Sequence, residues 1–118
     1  MHQYSLVLLV LLGLAAASAQ SEQTPTAEQG RQLWIKEVLG AKGDSRACTT
    51  CHGTDLTQAG EHQRTHKLIE PMAKSVTPSR YEDPKKVAKW FRRNCKWTWG
   101  RECTAEEKRA ILSYLKSQ

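Results

Sequence analysis

The chain has 118 residues, of which 18 are Lys or Arg and 12 are Asp or Glu, so its formal net charge is +6 at pH 7. A chain of this length has room for one compact domain with a single core, which excludes an arrangement of several domains. The charged residues all follow the first 20 positions, so the basic balance belongs to the part of the chain that folds.

An apolar segment opens the chain. Residues 5–19 are almost entirely apolar and end in Ala17-Ser18-Ala19. A short apolar run followed by an A-x-A sequence is typical of a secretory signal peptide, and it is shorter than the ~20 residues that cross a bilayer. Residues 1–4 lack the Lys or Arg usual before such a run, so an uncleaved membrane anchor is the alternative. We expect a signal peptide over residues 1–19, export to the periplasm and a mature domain over residues 20–118.

The first helix of the mature chain is predicted to begin at Thr26. Thr26 and Gln29 have the spacing of a capping box, in which each side chain accepts a hydrogen bond from the other residue's backbone N–H. Gly40 follows the expected end of the helix, and residues 41–46 form a loop of small residues. One helical face carries Gly30, Leu33, Trp34 and Val38.

The predicted loop at residues 41–46 leads into the sequence Ala47-Cys48-Thr49-Thr50-Cys51-His52-Gly53. Two cysteines three residues apart, with a histidine directly after the second, form the C-x-x-C-H pattern of covalent haem attachment. Cys48 and Cys51 add to the two vinyl groups of one porphyrin as thioethers, and this clamp holds the imidazole of His52 under the iron as the proximal ligand. The pattern predicts one covalently bound haem c.

Two other uses of these cysteines compete with haem. A dithiol redox motif also has the C-x-x-C spacing, but it is typical of a βαβ pattern that this sequence lacks. A Cys₂His₂ zinc site would use Cys48, Cys51, His62 and His66, although the middle spacing is short and the apolar pattern of a ββα module is missing. Zinc also leaves His52 without a role, so haem is favoured.

The chain has four cysteines, and haem takes two of them. In the oxidising compartment that the signal peptide predicts, disulfides persist. Cys95 and Cys103 are therefore predicted to form a disulfide, which leaves no cysteine over.

Loops are predicted on the C-terminal side of the haem motif. Residues 53–63 are polar and are expected to be irregular. Residues 66–81 contain Pro71, Pro78 and a lone methionine, Met72, which predicts a loop with room for one short helix. We expect Met72 to fill a gap against the porphyrin.

A second helix is predicted to begin with Asp83 as N-cap and Pro84 in the first position. Asn94 shares one face of this helix with apolar residues, so its amide should turn toward the core, where a buried amide needs a partner such as a metal or a helix end. Residues 85–101 contain seven basic residues and no acidic residue. The face at i, i+3, i+4 and i+7 carries Val87, Trp90, Phe91 and Asn94.

The last helix has a second capping box, formed by Thr104 and Glu107. Gly30 on the first helix and Tyr114 on the last one suit a close crossing, because glycine lets the backbones approach and the aromatic ring fills the gap beside it. We therefore expect an all-α fold with long loops around one haem. The buried side of the last helix carries Ala110, Ile111, Tyr114 and Leu115.

The haem motif, the terminal helices and the length resemble those of class I c-type cytochromes. From about Cys48 to Leu115 the chain is similar to a narrower family, that of the sphaeroides haem protein (SHP), because a series of short motifs occurs in the same order. These motifs are Cys48-Thr-Thr-Cys-His-Gly53, Ala59-Gly60, Arg64-Thr65-x-Lys67, Ile69-x-Pro71, Thr77-Pro78, Lys89-Trp90, Arg93-Asn94-Cys95, Gly100-Arg101-x-Cys103-Thr104 and Glu107-Lys108.

The resemblance implies a particular sixth ligand to the iron. In the SHP family this ligand is an asparagine directly before the first cysteine of a disulfide, which places the role on Asn94 with Cys95 and Cys103. Three features depart from the family pattern: Met72, His66 in place of a small residue, and residues 96–99, which we expect to form a loop. Met72 is the main alternative ligand, and His62, His66 and Lys67 are weaker ones.

The choice of ligand separates the functions. An asparagine that is released on reduction would let O₂, NO or CO bind, whereas a methionine ligand would make a plain electron carrier. An oxygen or peroxide reductase is the third hypothesis, but no general acid–base pair in the sequence supports it. The resemblance implies a dihaem c-type cytochrome and a membrane b-type cytochrome as redox partners, and the basic run at 85–101 suits an acidic partner surface better than nucleic acid in an exported haem protein.

Overall fold

A computed structural model describes residues 24–118, so the predicted signal peptide and its cleavage site lie outside the described residues. The described part is mostly helical, which confirms the all-α prediction, and none of its helices is long and apolar enough to cross a membrane. The elements in chain order are α1 (Ala27–Ile35), β1 (Val38–Leu39), β2 (Ser45–Arg46), α2 (Thr49–His52), β3 (Gly60–Glu61), β4 (Leu68–Ile69), α3 (Pro84–Trp99) and α4 (Ala105–Lys116).

Helix α1 begins as predicted and ends earlier than predicted. Thr26 Oγ1 accepts a hydrogen bond from the Gln29 backbone N–H at 3.2 Å, and Gln29 Oε1 accepts one from the Thr26 N–H at 2.7 Å. The extension of the helix to Val38 was wrong, because the backbone is already extended at Lys36. Val38 pairs instead with Arg46 in the antiparallel hairpin of β1 and β2. Residues 41–44 of the expected loop connect the two strands, and residues 45–46 belong to β2.

The crossing of α1 and α4 forms the centre of the fold. Gly30 is buried at the crossing, and a Cβ atom there would overlap the Ala110 carbonyl oxygen and lie 2.7 Å from the Tyr114 Cβ. Glycine is therefore required by the close approach of the two backbones. Helix α4 begins with the predicted capping box, in which Thr104 Oγ1 accepts from the Glu107 N–H at 3.1 Å.

The small core lies on this crossing. It also takes in residues from the two loops between α2 and α3, and Ala73 N–H donates to the Leu56 carbonyl at 2.8 Å to join those loops. Cys48, Met72 and Phe91 are partly buried against the core. The buried cluster consists of Trp34, Leu56, Ala73, Ile111, Tyr114 and Leu115.

The segment between α2 and α3 contains a second short hairpin. Gly60 in β3 pairs with Ile69 in β4, so residues 53–63 are less irregular than predicted. A Cβ atom at Gly60 would overlap the Cys51 carbonyl oxygen, so the glycine lets β3 lie directly against α2. The short helix considered within residues 66–81 is absent, and turns occupy residues 74–81 instead.

Helix α3 begins as predicted, since the Asp83 carboxylate accepts from the backbone N–H groups of Lys85 at 2.9 Å and Lys86 at 3.2 Å. It runs to Trp99, so the expectation of a loop at residues 96–99 was wrong. The helix can continue because its stop signal is Gly100, which adopts a left-handed φ of 71° at the C-cap.

Candidate haem site

Helix α2 places the three residues of the haem motif on one surface. Cys48 is the N-cap of this short helix, with helical backbone angles of −59° and −36°, and His52 is its last residue. Cys48, Cys51 and His52 are therefore at helical positions i, i+3 and i+4, which are neighbours on a helix surface. Both thiols are free and half-buried, so both are available for thioether formation with one porphyrin.

The imidazole of His52 lies in an apolar environment beneath α1. Its ring centroid is 5.2 Å from that of Trp34, with 36° between the ring planes. Burial, with a smaller contribution from the nearby positive charge of Arg80, lowers the pKa of His52 to about 4. His52 is consequently neutral at physiological pH, and the neutral imidazole is the form that binds a metal.

The thiol of Cys48 is also held in its neutral form. Burial is the main cause that raises its pKa to about 12. A thioether sulfur carries no charge, so the apolar surroundings that disfavour a thiolate would suit the product of haem attachment.

Three buried nitrogen atoms have no hydrogen-bond partner among residues 24–118. They are Trp34 Nε1, His52 Nδ1 and Trp99 Nε1. A buried polar atom without a partner is costly, and such atoms commonly point to a bound group. Haem would bring a metal and two carboxylates to this region, so the donor set and the surrounding apolar side chains fit the group.

The residues of the alternative zinc site do not come together. Among residues 24–118, no group of three or more His, Cys, Asp or Glu side chains is placed to hold a metal ion. His62 Nδ1 accepts hydrogen bonds from the backbone N–H groups of Arg64 and Thr65 at 3.3 and 3.1 Å. His66 is exposed, and its Nδ1 lies 2.6 Å from the Glu61 carboxylate.

Asn94 is exposed on α3, so the expectation that the polypeptide would bury its amide was wrong. The stripe of α3 that packs on the protein runs through Phe91, Cys95 and Thr98, at i, i+4 and i+7. Asn94 lies beside that stripe, and Trp90, at the preceding helical turn, is 46% exposed. The contacts of the polypeptide alone therefore give Asn94 no buried partner.

Asn94 directly precedes a cross-link between α3 and the start of α4. Cys95 and Cys103 are joined as a disulfide, with their Cα atoms 5.6 Å apart, and both are buried. The position of Asn94 is thus fixed by a covalent constraint as well as by the helix.

Met72 has a different environment from Asn94. Its side chain is half-buried against the core cluster, and its carbonyl oxygen accepts a hydrogen bond from the Tyr81 hydroxyl at 2.6 Å. This placement matches the expected role of a flexible side chain that fills a gap in the core.

The sequence analysis missed Arg80, whose side chain reaches back to the segment before Met72. Arg80 Nε donates to the Pro71 carbonyl at 2.7 Å, and Nη2 donates to the Glu70 carbonyl at 2.6 Å. Arg80 also lies near enough to His52 to affect its pKa. Its separation of 28 residues from His52 gave no local pattern that could have revealed the contact.

Known proteins place the chain in a family. A family model described as a domain of unknown function, DUF1924, matches residues 20–115. The cytochrome c-type protein SHP of Cereibacter sphaeroides is 46% identical over 104 residues, which are 88% of this chain and 77% of that protein. The chain belongs to the SHP family of c-type cytochromes.

A more distant relative agrees with this assignment. Cytochrome c'' of Methylophilus methylotrophus is 28% identical over 79% of this chain and 65% of its own length. Among solved structures, oxidised SHP has a TM-score of 0.74 at 47% identity, over 80% of this chain and 83% of the other. Oxidised cytochrome c'' has a TM-score of 0.71 at 28% identity, over 78% and 75% of the two chains.

Membership in the SHP family confirms the predicted fold and cofactor. The fold is that of a c-type cytochrome with crossed terminal helices, and the cofactor is one covalently bound haem c. The haem supplies redox chemistry and an iron that binds small molecules. Cys48, Cys51 and His52 are the residues that would hold it.

Proposed function

We propose that this SHP-type cytochrome is an exported monohaem protein that transfers electrons and binds small diatomic ligands at an iron held by His52 and Asn94. In this proposal His52 is the permanent ligand, and the amide of Asn94 leaves when the iron is reduced. The solved SHP structure is described as that of an oxygen binding cytochrome c, which supports O₂, NO and CO as the class of ligand.

The observation that carries the proposal is the contrast between Asn94 and Met72. Asn94 is exposed beside the Cys95–Cys103 disulfide, so its amide is not committed to packing within the polypeptide. The side chain of Met72 packs on the core, and its backbone is fixed by Tyr81. This contrast supports Asn94 as the displaceable ligand and Met72 as a packing residue.

The chemistry of the amide explains why release should accompany reduction. An asparagine oxygen is a hard, weak and neutral donor that favours ferric iron, whereas a thioether suits ferrous iron and raises the potential. Gain of an electron should therefore loosen Asn94 more than it would a methionine ligand. The freed amide stays on α3, where its N–H can donate a hydrogen bond to a small ligand.

Electron transfer also requires a partner. The basic residues of α3 lie on an exposed surface, and they would attract an acidic redox protein at a rate that falls with ionic strength. A dihaem c-type cytochrome and a membrane b-type cytochrome in the periplasm are the partners that we propose.

Substitution of each candidate ligand tests the proposal. Asn94→Leu in the haem-loaded protein should change the ferric absorption spectrum toward a high-spin form, while the matched variant Met72→Leu should leave it unchanged. The reduced wild-type protein should be high-spin and bind CO rapidly. If Met72→Leu alters the ferric spectrum and the reduced wild-type protein is low-spin and indifferent to CO, the protein is a His/Met electron carrier.

A further inference from the structure

Arg46, in β2, is held from several sides and reaches across to α3. Its Nη1 donates to the Trp97 carbonyl oxygen at 3.0 Å, and its guanidinium lies over the Trp97 ring, with 4.7 Å from Cζ to the ring centroid. Its Nε donates to the Asp44 carboxylate, and only 23% of the side chain is exposed. A Cβ atom at Gly40 would lie 2.8 Å from that Nε, so the backbone of the hairpin lies directly against the arginine. We call the double contact between Arg46 and Trp97 the clasp.

The clasp satisfies the C-terminal end of α3. The last carbonyl groups of a helix have no partner within the helix. Helix α3 ends at Trp99, so the Trp97 carbonyl is one of these groups, and Arg46 supplies its donor. The helix dipole also favours a cation at this end, and the stack on an aromatic ring adds a further attraction. The clasp therefore stabilises the part of α3 that follows Asn94.

The clasp joins the segment with the haem motif to the helix with the candidate sixth ligand. Arg46 is two residues before Cys48, and the intervening residue, Ala47, is buried. Strand β2 therefore continues into α2 without a long linker. The same hairpin contacts α3 through β1. Trp97 follows Asn94 by three residues, which is slightly less than one helical turn. Movement at the clasp should consequently change the separation between α2 and the middle of α3.

We propose that Arg46 is a positioning residue that, through the clasp, holds Asn94 where it can bind the iron of the ferric protein. The inference rests on His52 and Asn94 as the two ligands in the proposed function. An asparagine oxygen is a weak donor, so its binding depends on a helix that keeps it within about 0.5 Å of the productive position. The disulfide at Cys95 attaches α3 to the start of α4, and the clasp attaches it to the haem-motif side.

The ferric absorption spectrum of the haem-loaded protein tests this role. Arg46→Gln breaks the clasp and should shift the equilibrium between bound and released Asn94 about tenfold toward release, the low end of what one charge-assisted hydrogen bond is worth. The shift is measured as a larger high-spin fraction. Arg31→Gln is the matched control, because it breaks an arginine–carboxylate pair with Glu28, at 2.8 and 2.9 Å on α1, and it should leave the spectrum unchanged. An unchanged spectrum in Arg46→Gln as well would refute the positioning role.

Combination with Asn94→Leu separates positioning from general damage. In that background the proposed ligand is gone, so Arg46→Gln should cause no further change in the ferric spectrum, although it should still lower the stability to urea. A further spectral change of the same size would mean that Arg46 acts by another route, and it would overturn the proposal. If Asn94→Leu alone has the wild-type spectrum, the proposed function fails and the inference fails with it. If Asn94→Leu changes the spectrum and Arg46→Gln does not, only the role of Arg46 is refuted.

Two milder variants apply if Arg46→Gln does not take up haem. Arg46→Lys keeps the positive charge but loses the planar group, and Trp97→Leu removes the ring at a position that is 37% exposed but leaves the carbonyl. Each should give a smaller shift toward the high-spin form than Arg46→Gln. Together they should change the equilibrium by less than the product of their separate factors, because both weaken one contact. Factors that multiply in full, or unchanged spectra in both variants, would contradict the clasp.

Discussion

The indole ring of Trp34 lies against the imidazole ring of His52, with 5.2 Å between their centroids. Trp34 also contacts Tyr114 of α4, at a centroid distance of 6.4 Å. His52, the proposed proximal ligand, is therefore backed by a side chain that belongs to the crossing of α1 and α4. Any change that separates these helices should also loosen the support of His52.

Gly30→Ala should disturb the crossing. The added Cβ would overlap the Ala110 carbonyl oxygen, which is backbone and cannot rotate away. We expect a loss of about 1–3 kcal/mol in the free energy of unfolding, the range typical of overpacking, measured by urea denaturation of the haem-loaded protein. On heating, the ferric spectrum of the variant should also begin to change at a lower temperature than that of the wild type, because Trp34 moves with α1.

Gly43→Ala provides the comparison for this variant. Gly43 has a left-handed φ of 78°, unlike Gly30, and a Cβ there would meet no atom within 4 Å. The Gly43→Ala variant should lose about 1 kcal/mol in the free energy of unfolding from backbone strain alone, and its ferric spectrum should be unchanged. Equal effects of the two substitutions on the spectrum would argue against a link between the crossing and His52.

The ion pair between Glu107 and Arg101 should make stability depend on pH in the acid range. Hydrogen bonds from Arg101 at 2.8 and 2.9 Å are the main cause that lowers the pKa of Glu107 from 4.5 to about 2. Because the folded pKa lies below the unfolded one, the pair stabilises the fold above about pH 4.5, and this contribution is lost as the pH falls toward about 2.

Glu107→Gln isolates this contribution, because glutamine can still accept the hydrogen bond from Thr104 in the capping box. At pH 7 the variant should lose about 1 kcal/mol, since Arg101 is half-exposed and solvent weakens the pair. At pH 2.5 the difference from wild type should be much smaller, as measured by urea unfolding at both pH values. Glu106→Gln, at an exposed neighbouring position, should show no such change. A difference that stays constant between the two pH values would contradict the assignment.

The Cys95–Cys103 disulfide should stabilise the fold and hold Asn94 in place. The two cysteines are eight residues apart, a loop for which the chain-entropy model gives about 2.5 kcal/mol. The double variant Cys95→Ser/Cys103→Ser should lose about this much in urea unfolding. Its ferric spectrum should also gain a high-spin component, because Asn94, the proposed sixth ligand, is adjacent to Cys95.

Reduction of the wild-type disulfide serves as the matched control, since it breaks the same cross-link without changing a residue type. Both treatments should give the same spectrum. If stability falls by the expected amount while the ferric spectrum stays unaltered, the disulfide is not what holds Asn94 in place.

His66 illustrates a departure from the family pattern that the structure makes intelligible. The resemblance to SHP predicts a small residue at this position, and the φ of His66 is 56°, in the left-handed region. A small residue such as glycine adopts this conformation without cost, whereas histidine does not. The contact between His66 Nδ1 and the Glu61 carboxylate at 2.6 Å gives the histidine a compensating interaction in this turn.

Sequence alone determined the features whose hydrogen bonds or covalent chemistry are local. The C-x-x-C-H motif, the capping boxes at Thr26 and Thr104 and the N-cap at Asp83 each depend on residues within four positions of one another. The crossing at Gly30 was also predictable, because each helix carried its own apolar stripe and only one glycine could permit the close approach.

Tertiary structure decided what depends on distant partners. Val38 pairs with Arg46, a strand partner from a later segment. The packed stripe of α3 runs through Cys95, which is joined to Cys103, and Asn94 lies beside that stripe. The carbonyl groups that hold Arg80 lie nine and ten residues away, and His52 lies farther still. No periodicity encodes such contacts, since they form only when the loops are laid across the crossed helices.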